Sequence, residues 1–120
     1  MEIRLKRAYD TAARSDGPRI LVDRIWPRGV AKEEADITHW LKGLAPSTDL
    51  RKWFGHDPDK WSEFCDRYLR ELKSDEAADD RETLRKILDE HKRITLVFAA
   101  KDTEHNNALA LRDYILNEKI

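Results

Sequence analysis

Two short stretches of the chain gather side chains able to grip an anion. The first is Asp23-Arg24-Ile25-Trp26-Pro27-Arg28 and the second is Lys101-Asp102-Thr103-Glu104-His105-Asn106. Arginine offers bidentate donors to phosphate or carboxylate, lysine a compact positive charge, and asparagine an amide that orients polar groups. With Arg7 added, the candidate ligand-binding residues are Arg7, Arg24, Trp26, Arg28, Lys101 and Asn106. If the site is catalytic, Asp23 and His56 are the acid/base candidates, since geometry and a proton-exchanging group are what such chemistry requires. His56 stands just before Asp57-Pro58, where it could titrate near neutrality or simply hydrogen-bond locally.

Each of these residues also has an ordinary structural use. Lys101-Asp102-Thr103 is a common way to start a helix beside a solvated lysine, and Asp23-Arg24 could be an ion pair closing a strand. Trp26, Trp40, Trp53 and Trp61 suit core or lid packing as well as stacking. His39, His56, His91 and His105 share no metal-ligand spacing, and Cys65 is the single cysteine, so neither a metal nor a cofactor is expected. No GxSxG, P-loop or GxGxxG is present, and four glycines in all exclude a glycine-rich phosphate cradle.

The elements that must position these groups can be read from periodicity and caps. Ile3 to Arg7 alternates at a period near two, and Ile20-Leu21-Val22 and Ile94 to Ala100 are compact apolar strand formers. Asp10 to Pro18 and Trp26 to Gly29 carry loop chemistry. Ala35, Ile37 and Trp40/Leu41 predict a short helix, and Ser47 predicts the cap of another over Thr48 to about Phe54. Asp57-Pro58 predicts a helix start ahead of Trp61, Phe64, Tyr68, Leu69 and Leu72. Asp79 to His91 repeats the pattern, and Ala108, Leu111, Ile115 and Leu116 mark a C-terminal helix that Asp102 or Thr103 could cap. The order of elements predicts an α/β fold: a small, mostly parallel sheet of about three strands covered by helices, Rossmann-like or rhodanese-like in layout. In such sheets ligands gather at the carboxyl ends of the strands, which is where both candidate loops would lie.

Composition bounds the rest. The 120 residues carry 23 Lys+Arg against 24 Asp+Glu, a net charge of −1, so neither a basic coat for nucleic acid nor an acidic tail is present. No linker, repeat or composition break divides the chain, and residues 1–120 are read as a single domain. One cysteine, the start Met1-Glu2-Ile3-Arg4 and an apolar run of only five residues, Leu96 to Ala100, predict a cytoplasmic protein. The near-neutral total conceals asymmetry: residues 1–60 hold twelve cationic residues against ten acidic ones, and residues 61–120 eleven against fourteen.

Three motifs together carry a family resemblance. They are Lys6-Arg7-Ala8-Tyr9-Asp10 with Asp16-Gly17-Pro18-Arg19-Ile20-Leu21-Val22-Asp23-Arg24-Ile25-Trp26-Pro27-Arg28-Gly29, then Ala45 to Pro58, then Leu96 to Ala108. Over essentially its whole length the chain resembles the short, YeaO-like branch of the family called domain of unknown function 488. That resemblance implies a small prokaryotic, cytosolic α/β protein, and the family's name assigns it no activity. Longer members of the wider family have an Asp-Val-Arg type strand end and a Cys-bearing segment before the last helix; here Val22-Asp23-Arg24 and Ala99-Ala100-Lys101 stand in those places. The layout is also distantly similar to rhodanese-like domains, but without their catalytic cysteine, so thiolate sulfur transfer or phosphatase chemistry is not expected.

Three functions compete on these grounds. The first is a pocket for a small anionic or nucleotide-like ligand. The second is a nucleic-acid-associated module using residues 1–32, where eight Lys/Arg face four Asp/Glu and Tyr9 and Trp26 are available for stacking. The third is a non-catalytic interaction or regulatory protein with a tryptophan patch, which leaves the oligomeric state open.

Overall fold

The computed structural model describes residues 1–118. Four strands, β1 (Glu2–Arg7), β2 (Arg19–Leu21), β3 (His39–Trp40) and β4 (Arg93–Phe98), form one sheet in the order β1-β4-β2-β3. Every pairing is parallel: Ile3 sits opposite Ile94, Ile20 opposite Leu96, and Ile20 opposite His39. The last strand to be made thus enters between the first two. This leaves β4 flanked on both sides, and the five residues from Ile94 to Phe98 are all buried, as their unbroken β-propensity requires.

The period of two along each strand divides the sheet into two faces. Ile20, Val22, Ile94, Leu96 and Phe98 point to the larger core, which they share with Phe54, Phe64, Tyr68, Leu84 and Leu111. Those partners come from α1 (Thr48–Phe54), α2 (Trp61–Leu72), α3 (Ala78–Glu90) and α4 (Asn107–Glu118). Leu21 and Val97 point the other way and are covered by Trp26, Val30, Ile37 and Trp40. Helices cover one face, then, and the segment around β3 covers the other. Among the described residues no helix is long and apolar enough to cross a membrane.

Local signals explain where most elements begin. Ser47 Oγ accepts from Leu50 N at 3.1 Å and starts α1. Asp57 Oδ1 accepts from Asp59 N at 3.0 Å, and a turn of 3-10 helix over Pro58–Lys60 runs straight into α2. Two expectations change. The stretch around Ala35 to Leu41 makes only one helical turn, Lys32–Ala35, which stops where Asp36 adopts φ 48°; His39 and Trp40 then become the edge strand β3. A two-residue strand has no periodicity of its own, so only pairing with Ile20 and Leu21 creates it. The cap of α4 is Asn106, whose Oδ1 accepts from Leu109 N at 2.8 Å, rather than Asp102 or Thr103.

Candidate functional site

β2 and β4 are parallel neighbours, so the loops that leave them open on the same edge of the sheet. Between these loops, α1 and the turn after it lies a cavity of about 750 Å³, inside the size range of small-molecule sites. Of the residues singled out in the sequence, Asp23, Arg24, Trp26, Arg28, His56, Lys101 and Asn106 all line it. Arg7 does not. Its guanidinium donates to the carbonyls of Ala100 at 2.9 Å and Ala99 at 3.2 Å, bracing the β4 exit loop from outside the cavity.

The β2 exit loop is held at several points. Trp26 Nε1 donates to Val30 O at 2.8 Å, Tyr9 Oη donates to Arg28 O at 3.1 Å, and Trp40 Nε1 donates to Asp23 O at 2.7 Å. Arg24 reaches toward α1, donating to Ala45 O at 3.3 Å and Pro46 O at 3.4 Å. Those acceptors are neutral, and Arg24 makes no ion pair among the described residues. Asp23 is engaged on both oxygens: Oδ2 accepts from Ala99 N at 2.9 Å and Oδ1 from Asn107 Nδ2 at 3.0 Å. Burial pushes the Asp23 carboxyl above its usual range, while Asn107, the Ala99 N–H and the nearby Arg51 charge pull it back down.

On the β4 exit loop Asp102 closes a tight turn. Its Oδ1 accepts from Glu104 N at 2.8 Å and from His105 N at 3.1 Å, and its Oδ2 faces His105 Nδ1 at 2.9 Å. The Glu104 N–H, then the His105 imidazole, hold this carboxyl below the usual aspartate value. Asn106 is buried, with its amide donating to Asp102 O at 3.1 Å and its carbonyl capping α4. His56 reaches the wall through consecutive left-handed residues, Gly55 at φ 54° and His56 at φ 58°, which turn the chain sharply at the end of α1. Histidine is among the non-glycine residues that tolerate this region better than most.

Sequence reasoning missed three contributors. Arg51 and Lys52 line the cavity from α1, and Asn107, the first residue of α4, supplies the clasp on Asp23. The two cations sit mid-helix, where sequence suggests only a solvated face; Ser47 as the helix start was the one local signal that bore on their placement. The cavity therefore carries five cationic side chains, Arg24, Arg28, Arg51, Lys52 and Lys101, against the carboxylates of Asp23 and Asp102. Arg28, Arg51, Lys52 and Lys101 make no side-chain hydrogen bond or ion pair among the described residues. Phe54 and Phe64, both buried, form an apolar floor. Nowhere among the described residues do three His, Cys, Asp or Glu side chains gather as metal ligands would. Such an arrangement can hold negative charge against an apolar surface.

Comparison with known proteins bears on the family. The family described as "Inactive DUF488-N3 subclade" matches residues 2–119. The chain belongs to that subclade. The names of its relatives assign no activity. It is 42% identical over 117 residues to "Uncharacterized protein YeaO" of Escherichia coli (strain K12), covering 96% of this chain and 97% of that protein. Over 70 residues it is 44% identical to a protein of Mycobacterium tuberculosis (strain ATCC 25618 / H37Rv) and to one of Mycobacterium bovis, covering 58% of this chain and 59% of each of them. No solved structure matches this DUF488-N3 chain.

Proposed function

We propose that this protein binds a small anionic or nucleotide-like ligand at the carboxyl ends of β2 and β4, as a binding protein without covalent chemistry. The observation that carries this reading is the set of five cationic side chains around one cavity, with both of its carboxylates already hydrogen-bonded inside the chain. Like charges crowded around a concave, partly apolar wall repel one another, and an anion relieves that repulsion. The family's description as inactive supports binding over catalysis. So does Cys65, the lone thiol: it lies on the α2–α4 groove, away from this cavity, and burial, with Asp113 and Asp66 nearby, pushes it up to about 11. A thiol so far from ionising is a poor nucleophile.

The nucleic-acid reading has less support. In the basic N-terminal third, Arg4 pairs with Glu2, Lys6 and Arg19 pair with Asp16, and Arg7 holds backbone carbonyls. Those charges are engaged within the fold rather than spread over a surface that could track phosphates. The four indoles offer no free patch either, since each is half-buried.

The test is a titration with inorganic phosphate followed by amide NMR at low ionic strength. The amides of Asp23 to Arg28 and Lys101 to Asn107 are expected to shift together and to saturate. Unmoved signals at millimolar phosphate would remove the basis for the proposal. Arg28→Ala, on an exposed loop, is expected to weaken binding severalfold without altering the rest of the spectrum.

A further inference from the structure

Charge is only half of the cavity. Its floor belongs to a continuous run of ring contacts that joins three segments of the chain. His56 meets Phe54 with centroids 6.3 Å apart, Phe54 meets Phe64 at 4.5 Å, Phe64 stacks on Trp61 at 5.5 Å, and Trp61 meets His105 edge-on at 5.4 Å. His56, Phe54, Phe64 and His105 all line the cavity, so the run begins and ends on its walls. Trp26, Pro27 and Ile25 line the cavity as well. Ile25 is 63% exposed, a large apolar side chain left in water at the rim.

These features constrain the occupant. A bare inorganic anion would satisfy the rim but leave the aromatic floor and most of the 750 Å³ wet. An uncharged ring would cover the floor but leave the cations unrelieved. A single carboxylate brings one negative charge to five cationic groups, four of which make no side-chain hydrogen bond or ion pair among the described residues. A phosphate monoester brings about −1.5 to −2 at neutral pH, together with three acceptor oxygens suited to arginine and lysine donors. From this we infer that the occupant is a phosphate monoester carried on a flat ring, with the ring against the aromatic floor and the monoester at the cationic rim. This inference rests on the anion-binding reading above and adds the ring and the ester to it. Mononucleotides and aryl phosphates share that chemistry.

Calorimetry with four probes separates the possibilities: inorganic phosphate, AMP, adenosine and phenyl phosphate. At least one of the two ring phosphates is expected to bind about tenfold or more tighter than inorganic phosphate, and AMP about tenfold or more tighter than adenosine. Tighter binding of AMP than of phenyl phosphate assigns the site to mononucleotides, and the reverse order to aryl phosphates. If inorganic phosphate binds as tightly as both ring phosphates, the ring is wrong while the anion site stands. If adenosine matches AMP, the ester is wrong and the anion reading falls with it. Silence from all four probes overturns both. Phe54→Leu is expected to remove the advantage of the ring phosphates while inorganic phosphate affinity stays within about twofold. Ile25→Ala, at an exposed position that folding does not depend on, should reduce the same advantage, and an unchanged ratio in both variants would count against the ring.

Discussion

Asn107 clasps Asp23. Its amide nitrogen lies 3.0 Å from Asp23 Oδ1 and 2.9 Å from the Val22 carbonyl, so the first residue of α4 is tied to the end of β2. The other Asp23 oxygen accepts from Ala99 N at 2.9 Å, just past the end of β4. One carboxylate thus ties together three segments that border the cavity. Asp23 is a positioning residue on this geometry, and the acid/base role considered from sequence has to compete with that use.

The first prediction concerns its titration. Burial raises the Asp23 carboxyl above the usual 3.8, against the lowering effect of Asn107, the Ala99 N–H and Arg51. The native state therefore keeps this proton to higher pH than the unfolded chain does. The associated stability is fully present below 3.8 and is lost as pH rises through the raised native value. Carbon-13 NMR of the carboxyl should give a midpoint above 3.8. Asn107→Ala and Arg51→Ala should each move it further up, because each removes a group that favours the ionised form. A wild-type midpoint below the usual value would contradict the account.

Tyr68 tests the helix side of the core. It is 1% exposed, and its hydroxyl donates to the carbonyl of Leu44. Tyr68→Phe keeps the ring packed on Phe64 but leaves that carbonyl without its donor, at a cost of about 1–3 kcal/mol. Urea unfolding should show a lower midpoint with an unchanged slope. No change in midpoint would mean that water replaces the hydroxyl freely.

Ser47 has two partners at once. Its Oγ accepts from Leu50 N at 3.1 Å and donates to Glu71 Oε2 at 2.7 Å, while its own N–H donates to Glu71 Oε1 at 2.7 Å. Loss of the cap in Ser47→Ala is expected to cost about 0.5–2 kcal/mol. Because α1 carries Arg51 and Lys52 into the cavity, phosphate affinity should fall as well. A stability loss with affinity untouched would separate the cap from the site.

Gly17 marks a close approach of two backbones. It adopts φ +65°, and a Cβ there would stand 2.5 Å from the Arg93 carbonyl oxygen. Gly17→Ala must therefore push β4 away or distort the turn before β2, and a loss of more than about 1 kcal/mol is expected. Thermal unfolding measures it directly, and a melting temperature equal to that of the wild type would refute the close approach.

Three strands, the four longer helices and the cap at Ser47 were legible in the sequence because each rests on local patterns of apolar spacing and capping groups. The two anion-gripping loops were legible for a related reason: a strand followed by clustered polar residues marks a strand end, and strand ends are where ligands bind in open α/β sheets. What the sequence could not determine depends on contacts between distant residues. His39 and Trp40 become a strand only through Ile20 and Leu21. Arg7 is drawn away to the carbonyls of Ala99 and Ala100, some ninety residues along the chain. Arg51 and Lys52, ordinary helix cations by sequence, face a cavity only because α1 packs beside the β2 and β4 exits. Local free energies choose the elements, but the entry of β4 between β1 and β2 decides which loops become neighbours, and that pairing is settled by burial over the whole chain.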